Sequence, residues 1–514
     1  MKKIVYVLCL AMMGVPVFAQ QRSVKRGLCW DENRFGMTDG IVDKLSAGIS
    51  WFHTWGVASS SPTSQIGQGA GNMAFVPMCG NGTASFDEAG MRKYLDAHKG
   101  EVKYLLGCNQ PMPEWGVDRV ATPQEAADMW PKVKQIAEDY GLEIVAPALN
   151  SDCAKVAGYN GPFAWYDEFF RLCPNSGIDY LAFHCYYNYA SSVKALVNEF
   201  FYASDNYGIA LMGEENKAKY PHLVGFLEEY KQRNGHYPRM FLTEFCARDG
   251  YAWPGWDGTR EEFQTDQMTM SVLALEKSDL VAAYAWYVGN AAGGVEEYPR
   301  SSVLQHAYAT SELSMLGKVY VHMSSFDTSK YYTPGERVLA KDYIDAQIDV
   351  YASDPFPFRV EVRPNTDEGS DSPLQVTMRD GSWATYQVEV PETGIYTITL
   401  RLKTKGGSCV LLLGDSSKEI STDDQWVVET VEVPLEAGRQ SLKIEHQEIG
   451  EADWFAHYIT VSEFEIQPNP VATTIETIEA KGEPEAVPAY DIQGRRINNL
   501  YRGIRIKKGR KIAL

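Results

Sequence analysis

The feature that most constrains the fold of this chain is an alternation of short apolar runs with helical patterns over its first 320 residues. Parallel strands need crossover connections, usually helices, and eight such units form a barrel of about 250 residues or more. The alternation therefore predicts an α/β fold, a (β/α)8 TIM barrel. The predicted strands are residues 26–30, 49–56, 74–79, 102–109, 143–150, 179–187, 239–246 and 281–287.

Start and stop signals predict the helices between these strands. Ser85 with Glu88, and Thr122 with Glu125, have the spacing of a capping box. Apolar residues after Thr122 follow one helical face as far as Gly141, a residue typical of helix ends. Further helices are predicted near residues 163–173, 191–203, 221–233 and 261–278.

Beyond residue 336 the apolar period changes to two, which predicts a second domain made of strands. Short alternating strands with turn residues between them favour an all-β sandwich, or jelly roll. The predicted organisation is a signal peptide at 1–19, the barrel at 22–325, a linker at 326–337, the sandwich at 338–466, a second linker at 467–488 and a basic tail at 489–514.

The N-terminal segment has the pattern of an export signal. Lys2 and Lys3 precede an apolar core, and the sequence before Ala19 suits signal peptidase, so cleavage is expected after Ala19. No later apolar run is long enough to cross a membrane. We therefore expect a secreted, periplasmic or cell-surface protein without a transmembrane segment.

Charge and aromatic content narrow the class of partner. The net charge of −19 argues against nucleic acid, whose phosphates would repel an acidic surface. The chain contains 12 Trp and 30 Tyr, and aromatic rings offer flat surfaces to the apolar faces of sugars. A large aromatic core is the plainer interpretation of the same residues.

The cysteines and histidines support weaker alternatives. Export permits disulfides among the eight cysteines that remain after cleavage, but the sequence does not give their pairing. No local signal marks Cys185 or Cys246 as a thiolate nucleophile. No ligand spacing supports a metal held by His53, His184 and Glu244, so neither a metal nor a cofactor is expected.

Polar and aromatic groups fall where the predicted strands end, and such ends meet at one mouth of a barrel. Glu244 ends the seventh strand, in RMFLTEFC, and Asn109 and Gln110 end the fourth, in VKYLLGCNQP. The other candidate substrate-binding residues are His53, Trp55, Glu114, Trp115, His184, Tyr186, Tyr187, Trp286 and Tyr287. Each alone is more often a packing residue, and only their convergence indicates a site.

Two carboxyl groups about 5–5.5 Å apart perform retaining glycoside hydrolysis, one as nucleophile and one as acid/base. Strands four and seven of a barrel offer that separation. Hydrogen bonds from His184 and Tyr186 would keep Glu244 ionised, and Asn109 would bind a sugar hydroxyl. A structural carboxylate on the barrel rim is the alternative for Glu244.

These residues carry a resemblance to a known family. Residues 25–320 resemble glycoside hydrolase family 128, the "glycosyl hydrolase catalytic core" group of endo-β-1,3-glucanases. The resemblance implies a (β/α)8 barrel, a retaining mechanism and Glu244 as the nucleophile. The matching motifs are KRGLCW, WFHTWG, FVPMCG, YLLGCNQP, TPQEAADMWPKVKQIAEDYGLEIVAPALN, DYLAFHCYYN, FLTEFC, AAYAWY and SELSMLGKVY.

The fourth strand departs from the family pattern. The family has Asn-Glu-Pro where this chain has Asn109-Gln110-Pro111, so the acid/base is replaced by an amide. Three accounts remain open: Glu114, Glu214 or Glu215 substitutes as the acid, hydrolysis is slow, or the barrel binds sugar without cleaving it. A carboxamide cannot protonate a leaving oxygen, and losing general acid catalysis costs about 10²–10⁴-fold.

The regions after the barrel show weaker resemblances. Residues 338–466 are similar to family 6 carbohydrate-binding modules, on LAKDY and RDGSWATYQVEVPETGIYTITLRL, with Trp383 and Trp454 as candidate ligand aromatics. The tail, with YDIQGRR and GIRIKKGRKI, resembles sorting tails of the type IX secretion pathway.

The sequence thus leads to three hypotheses. The first is a secreted retaining hydrolase of β-glucan, with a polysaccharide or oligosaccharide as its partner. The second is a non-catalytic β-glucan-binding protein, and the third is a structural or adhesive surface protein. Linkage preference, endo or exo action and oligomeric state remain open.

Overall fold

The structure is a computed structural model that describes residues 20–61, 72–80, 86–109, 121–150, 161–187, 214–247, 260–290, 300–347, 360–447 and 457–469, with short strands between 489 and 512. The chain forms two compact units, Met1–Asn469 and Pro470–Leu514. The first unit contains both the α/β region and the β-sandwich region.

Each of the eight predicted strand regions contains a strand. The strands are β1 Arg26–Cys29, β2 Trp51–His53, β3 Ala74–Phe75, β4 Tyr104–Leu106, β5 Glu143–Val145, β6 Leu149–Asn150, β7 Leu181–Tyr187, β8 Met240–Ala247 and β9 Val281–Trp286. The region predicted as one strand over 143–150 is divided into β5 and β6, with Pro147 between them. Proline lacks the N–H that a central strand donates to its neighbour, which accounts for the division.

All of these strands pair in parallel. Seven of them form a sheet in the order β3-β2-β1-β9-β8-β7-β6, and β4 pairs with β5. Single parallel bridges join this pair to its neighbours: Met78 to Leu106 on one side and Val145 to Tyr180 on the other. The architecture is therefore mixed α/β: parallel strands in the first part of the chain are followed by antiparallel sheets.

An apolar cluster lies on the inner face of the parallel strands. Near the strand starts it contains four aromatic rings from four strands, and their contacting centroids are 5.0 to 5.9 Å apart. These rings belong to Trp51, Tyr104, Tyr180 and Phe241. Smaller side chains such as Ala182 and Ala283 follow further along the strands. Aromatic rings thus pack together near the amino-terminal ends of these strands, whereas His184 and Glu244 lie toward the carboxyl ends.

The helices follow the predicted starts where the structure describes them. They are α1 Asp39–Leu45, α2 Glu88–Ala97, α3 Pro123–Tyr140, α4 Pro162–Leu172, α5 Glu214–Lys219, α6 Pro221–Asn234, α7 Arg260–Lys277 and α8 Met315–His322. The Thr122–Glu125 capping box is confirmed in both directions, and Gly141 ends α3 in the left-handed conformation. Asp87 caps α2, whereas the predicted cap Ser85 and the predicted helix at 191–203 lie outside the described residues.

The second half of the unit is a sandwich of antiparallel strands. They are β10 Arg337–Leu339, β11 Asp345–Ala346, β12 Val360–Pro364, β13 Leu374–Arg379, β14 Trp383–Val390, β15 Gly394–Lys405, β16 Cys409–Leu413, β17 Ser416–Ile420, β18 Val427–Leu435, β19 Gly438–His446 and β20 Tyr458–Pro468. One sheet runs β12-β13-β20-β15-β18 with β10 beside β20, and the other runs β11-β14-β19-β16-β17. The predicted turn at 391–394 therefore carries the chain from one sheet to the other.

The sandwich contacts the α/β region through a buried charge pair. Arg363 of β12 donates two hydrogen bonds to Asp266 of α7, at 2.5 and 2.8 Å. Asp266 is fully buried, and Glu361 and Arg379 extend the charge cluster within the sandwich. The segment predicted as the first linker is also packed, because the phenol of buried Tyr332 donates to Asp342.

The second unit contains a small antiparallel sheet. Its strands, β21 Ala489–Tyr490, β22 Arg496–Ile497, β23 Arg505–Lys507 and β24 Arg510–Ile512, lie in the order β22-β21-β23-β24. In the part of the chain that the structure describes, every helix is too short or too polar to span a membrane.

The buried pair between α7 and β12 generates a stability prediction. Arg363→Met leaves Asp266 buried without its bidentate partner, so the free energy of unfolding should fall by about 3–5 kcal/mol. Arg439→Met is the matched control, because Arg439 pairs with Glu389 on the exposed face of the sandwich and should contribute at most about 1 kcal/mol. Urea unfolding of both variants measures the difference, and equal losses would contradict a structural role for the interface pair.

Candidate functional site

The candidate site is centred on Glu244, near the carboxyl end of β8. Its side chain is almost buried, with 6% of the residue exposed. Trp55 donates its indole N–H to Oε1 at 2.6 Å, and the Tyr186 hydroxyl donates to Oε2. His184 Nδ1 lies 3.4 Å from the same Oε2. Each carboxylate oxygen of Glu244 therefore accepts a hydrogen bond from an aromatic side chain.

The titratable neighbours of Glu244 are held in states that complement its charge. Burial, reinforced by the charge of Glu244, raises the pKa of Tyr186 well above its usual value, so this phenol stays a proton donor. Burial lowers the pKa of His184, which keeps its imidazole neutral at pH 7. The neutral ring directs one nitrogen at Glu244, and its Nε2 atom is buried without a hydrogen-bond partner in the described part of the chain.

Aromatic side chains surround the carboxylate. The Tyr287 ring lies edge-on to Trp55 with centroids 6.1 Å apart, and to Tyr186 at 5.6 Å. Trp55 has a positive φ of 59°, a conformation that few residues other than glycine adopt. Tyr287 and Trp55 are half-buried, so they form the exposed edge of this aromatic group. The arrangement presents ring faces beside one buried negative charge.

Strand β8 carries one residue more than its neighbours at this point. Thr243 lies between the residues Leu242 and Glu244 that pair with consecutive residues of β7, and it has no counterpart there. Toward β9, the chain advances three residues from Leu242 to Phe245 while the partner strand advances two. The extra residue is a β-bulge, a feature that changes which face a side chain occupies.

His53 lies beneath the site rather than on its surface. It is fully buried, and its Nε2 atom is 2.8 Å from the carbonyl oxygen of Thr243. Burial lowers the pKa of His53 to about 4, so the ring is neutral and Nε2 donates its proton to this carbonyl. The predicted contact of His53 with substrate is contradicted by this burial.

Trp286 is a second correction. Its ring is fully buried and faces away from the interior, where it packs on Phe245 at 5.1 Å and on Tyr320 of α8 at 6.1 Å. Its indole N–H donates to the carbonyl oxygen of Ser301. A position at the end of a strand does not show which face of the strand a side chain occupies. Because the Trp286 ring lies on the outer face, it is a packing residue.

The remaining predicted residues divide into described and undescribed positions. Asn109 is buried at the end of the fourth strand region, where its N–H donates to the carbonyl of Gly80 at 2.9 Å. Glu214 and Glu215 are exposed on α5. Gln110, Glu114, Trp115, the side chain of Tyr187 and the sandwich residue Trp454 lie outside the described residues.

The side chains of Glu32 and Asn290, which the sequence-based prediction missed, fix the loops around the site. Glu32, after β1, accepts hydroxyl hydrogen bonds from Ser59 at 2.5 Å and Ser61 at 2.6 Å, in the loop that follows Trp55. The backbone N–H of Asp31 donates to the Asn290 side chain, which donates back to the Asp31 carbonyl. The loop after β1 thereby braces the loops that follow β2 and β9. The run of serines at 59–61, opposite acidic residues, was the available signal.

The cysteine and metal alternatives gain no support from the described residues. Among these residues Cys29, Cys79, Cys108, Cys173 and Cys409 are free thiols. Cys185 and Cys246 are buried, away from solvent. Within the described residues, no three metal-ligating side chains lie together as a group.

Comparisons with known proteins support the resemblance noted from the sequence at the level of family. The sequence model of the family described as "Glycosyl hydrolase catalytic core" matches residues 27–208, which confirms the resemblance to that group. None of the curated proteins matches the sequence.

Among solved structures, both families noted from the sequence are represented. An endo-β-1,3-glucanase of glycoside hydrolase family 128 from Pseudomonas viridiflava is 28% identical over 58% of this chain and 98% of its own, with a TM-score of 0.38. A family 128 oligosaccharide-binding protein from Cryptococcus neoformans is 16% identical over 59% and 96%, with a TM-score of 0.33. A β-1,3-glucan-binding family 6 module from Bacillus halodurans is 18% identical over 27% and 99%, with a TM-score of 0.21.

The buried, neutral state of His53 generates a pH prediction. Since its folded-state pKa of about 4 lies below the ordinary value of 6.5, its contribution to stability is complete above pH 6.5 and is lost as the pH falls toward 4. At about 1.4 kcal/mol for each pKa unit, the loss between pH 7 and pH 4 is about 3 kcal/mol.

The His53→Gln variant should lack this component, so its unfolding free energy should fall less steeply with acidification than that of the wild type. Urea unfolding at pH 7 and pH 4 measures both slopes. His236→Gln, at an exposed histidine, is the matched control and should keep the wild-type slope. Identical slopes for His53→Gln and wild type would contradict a neutral buried His53.

Proposed function

We propose that this protein is an exported retaining glycoside hydrolase that acts on β-1,3-glucan, with Glu244 as its nucleophile. The observation that carries the proposal is a nearly buried carboxylate at the carboxyl end of a parallel strand, bonded by Trp55 and Tyr186 and adjacent to neutral His184. The match of residues 27–208 to the glycosyl hydrolase catalytic core family supports the reaction class.

The proposal includes closure of the parallel strands into a (β/α)8 barrel. The single bridges Met78 to Leu106 and Val145 to Tyr180 support it, because they join β4 and β5 to both ends of the larger parallel arrangement. Side chains from β1 to β9 also share one apolar cluster. In a closed barrel Glu244 and Gln110 belong to strands seven and four, on opposite sides of the mouth.

The chemistry proposed for Glu244 is nucleophilic attack on the anomeric carbon. A glycosyl ester forms as the glycosidic C–O bond breaks, and water later hydrolyses the ester. Trp55 and Tyr186 aim the carboxylate oxygens, and neutral His184 adds no competing positive charge. Asn109 is the residue proposed to bind the sugar 2-hydroxyl, and Tyr287 to stack on a ring face.

The weak step is protonation of the leaving oxygen. Glutamine at position 110 donates and accepts hydrogen bonds but transfers no proton. This residue favours a second candidate function, a β-glucan-binding protein that has lost turnover. A solved relative of family 128 is itself named an oligosaccharide-binding protein, which supports this candidate.

The sandwich is proposed as a carbohydrate-binding module that holds the same polymer. Trp383, half-buried at the start of β14, is its described candidate aromatic residue. Names of solved relatives include β-1,3-glucan-binding modules of family 6. The basic tail is proposed as an attachment or sorting segment.

Restoring the acid tests the hydrolase. Gln110→Glu should raise reducing-sugar release from a linear β-1,3-glucan by about 10²–10⁴-fold, because it supplies the missing proton donor. Glu244→Gln in the same background should abolish the gain. Asn109→Asp, one position away, is the matched control for adding a carboxylate and should give no gain.

Two other outcomes discriminate among the explanations for the glutamine at position 110. Robust wild-type activity that is lost in Glu114→Gln, with no gain in Gln110→Glu, would assign the acid role to Glu114. Glucan binding by calorimetry, without turnover in either wild type or Gln110→Glu, would favour the binding protein.

A substrate whose leaving group needs no proton separates the nucleophile from the acid. A 2,4-dinitrophenyl β-glycoside of laminaribiose should be cleaved by the wild type, and Glu244→Gln should abolish that cleavage. Because general acid catalysis is irrelevant here, Gln110→Glu should change the initial rate less than about tenfold. No cleavage of this substrate by either protein would contradict Glu244 as a nucleophile.

Export is tested by the mature N-terminus. Mass spectrometry of the protein released by the producing cell should find a chain that begins at Gln20, after removal of the segment ending at Ala19. A full-length chain inside the cell would contradict the proposed localisation.

A further inference from the structure

The position of Glu244 in the interior depends on the bulge in β8. Side chains along a strand alternate between two faces, so Phe241 faces the interior cluster and Leu242 faces the helices. Uninterrupted alternation would place residue 244 on the helix side, together with Leu242. The extra residue at Thr243 reverses the alternation, and Glu244 reaches Trp55 and Tyr186 instead.

The residue after Glu244 confirms this reversal. Phe245 packs edge-on to Tyr284 at 5.7 Å and to Trp286 at 5.1 Å, on the outer face of the strands. Position 245 would face the interior if the alternation continued from Phe241. A one-residue slip of this kind exchanges the two faces of all following residues.

A bulge leaves backbone groups without their regular ladder partners, and a buried carbonyl needs another donor. The carbonyl oxygen of Thr243 lies within hydrogen-bonding distance of two buried donors. His53 Nε2 lies 2.8 Å from this oxygen and Cys29 Sγ lies 3.2 Å from it. Cys29 ends β1 and His53 ends β2, and both side chains are fully buried.

We propose that Cys29 and His53 are positioning residues that hold the bulged carbonyl of Thr243 and thereby aim Glu244 into the site. Neither touches Glu244 through a hydrogen bond that the structure describes, and their burial separates them from any sugar. They act through the backbone of the residue before the nucleophile. This inference deepens the proposed function, on which its catalytic consequences rest.

Paired substitutions separate donation from packing. Cys29→Ala removes one donor, whereas Cys29→Ser keeps a hydroxyl that is able to donate to the Thr243 carbonyl. His53→Phe keeps the ring but removes the other donor, and His53→Gln keeps an N–H donor. Cys409→Ala deletes another buried cysteine, bonded to backbone carbonyls of the sandwich, and is the control for cavity formation.

The kinetic test uses the dinitrophenyl glycoside. An ångström of misplacement costs about 10²-fold in rate, so kcat should fall about that much in Cys29→Ala and His53→Phe, with KM changed less than about threefold. Cys29→Ser and His53→Gln should recover most of the rate, and Cys409→Ala should match the wild type.

Crystal structures of the variants keep this test independent of any sugar. In Cys29→Ala with His53→Phe, the 2.6 Å bond between Trp55 and Glu244 should be lost, and the Thr243 carbonyl should be displaced. An unchanged bulge and an unchanged Glu244 in that double variant would overturn the proposal, even for a protein that neither binds nor cleaves glucan. Absence of glucan binding and turnover in the wild type would instead contradict the proposed function alone.

Discussion

Alternation of side chains along the parallel strands is the constraint on which the site depends. Each strand gives one face to the interior and the other to the helices, so a single inserted residue decides which groups meet. At Thr243 that insertion turns a carboxylate inward, while Phe245 and Trp286 remain outside among the helices. Trp55 and Tyr186 then each donate a hydrogen bond to one oxygen of Glu244. A charge in this position is tolerated because those donors replace water.

The electrostatics of the site follow from burial. His53 and His184 lie close to Glu244, yet burial keeps both imidazole rings neutral at pH 7. His53 bonds the backbone carbonyl of Thr243, and His184 lies beside the carboxylate. Phenols add hydrogen bonds without adding charge, since the pKa of Tyr186 is raised well above its usual value. The only formal charge among these groups is therefore the one proposed to attack the sugar. Loops braced by Glu32 and Asn290 hold the aromatic residues around it.

Much of this arrangement was accessible from the sequence, and its failures have physical causes. The apolar run before Glu244 and the Thr122 capping box are local signals, and the structure contains both elements as predicted. The predicted roles of His53 and Trp286 were wrong, because a position at the end of a strand does not determine which face of the strand the side chain occupies. The bulge at Thr243 has no compositional mark. The pairing of Asp266 with Arg363 joins residues 97 positions apart, which no local pattern reveals.

That pairing has a consequence for how the two halves of the first unit can vary. Helix α7 carries Asp266, which is fully buried and bonded to Arg363 of the sandwich. A different module grafted after residue 336 would leave the Asp266 carboxylate of α7 without its bidentate partner, so a replacement domain has to supply an equivalent cation at that point.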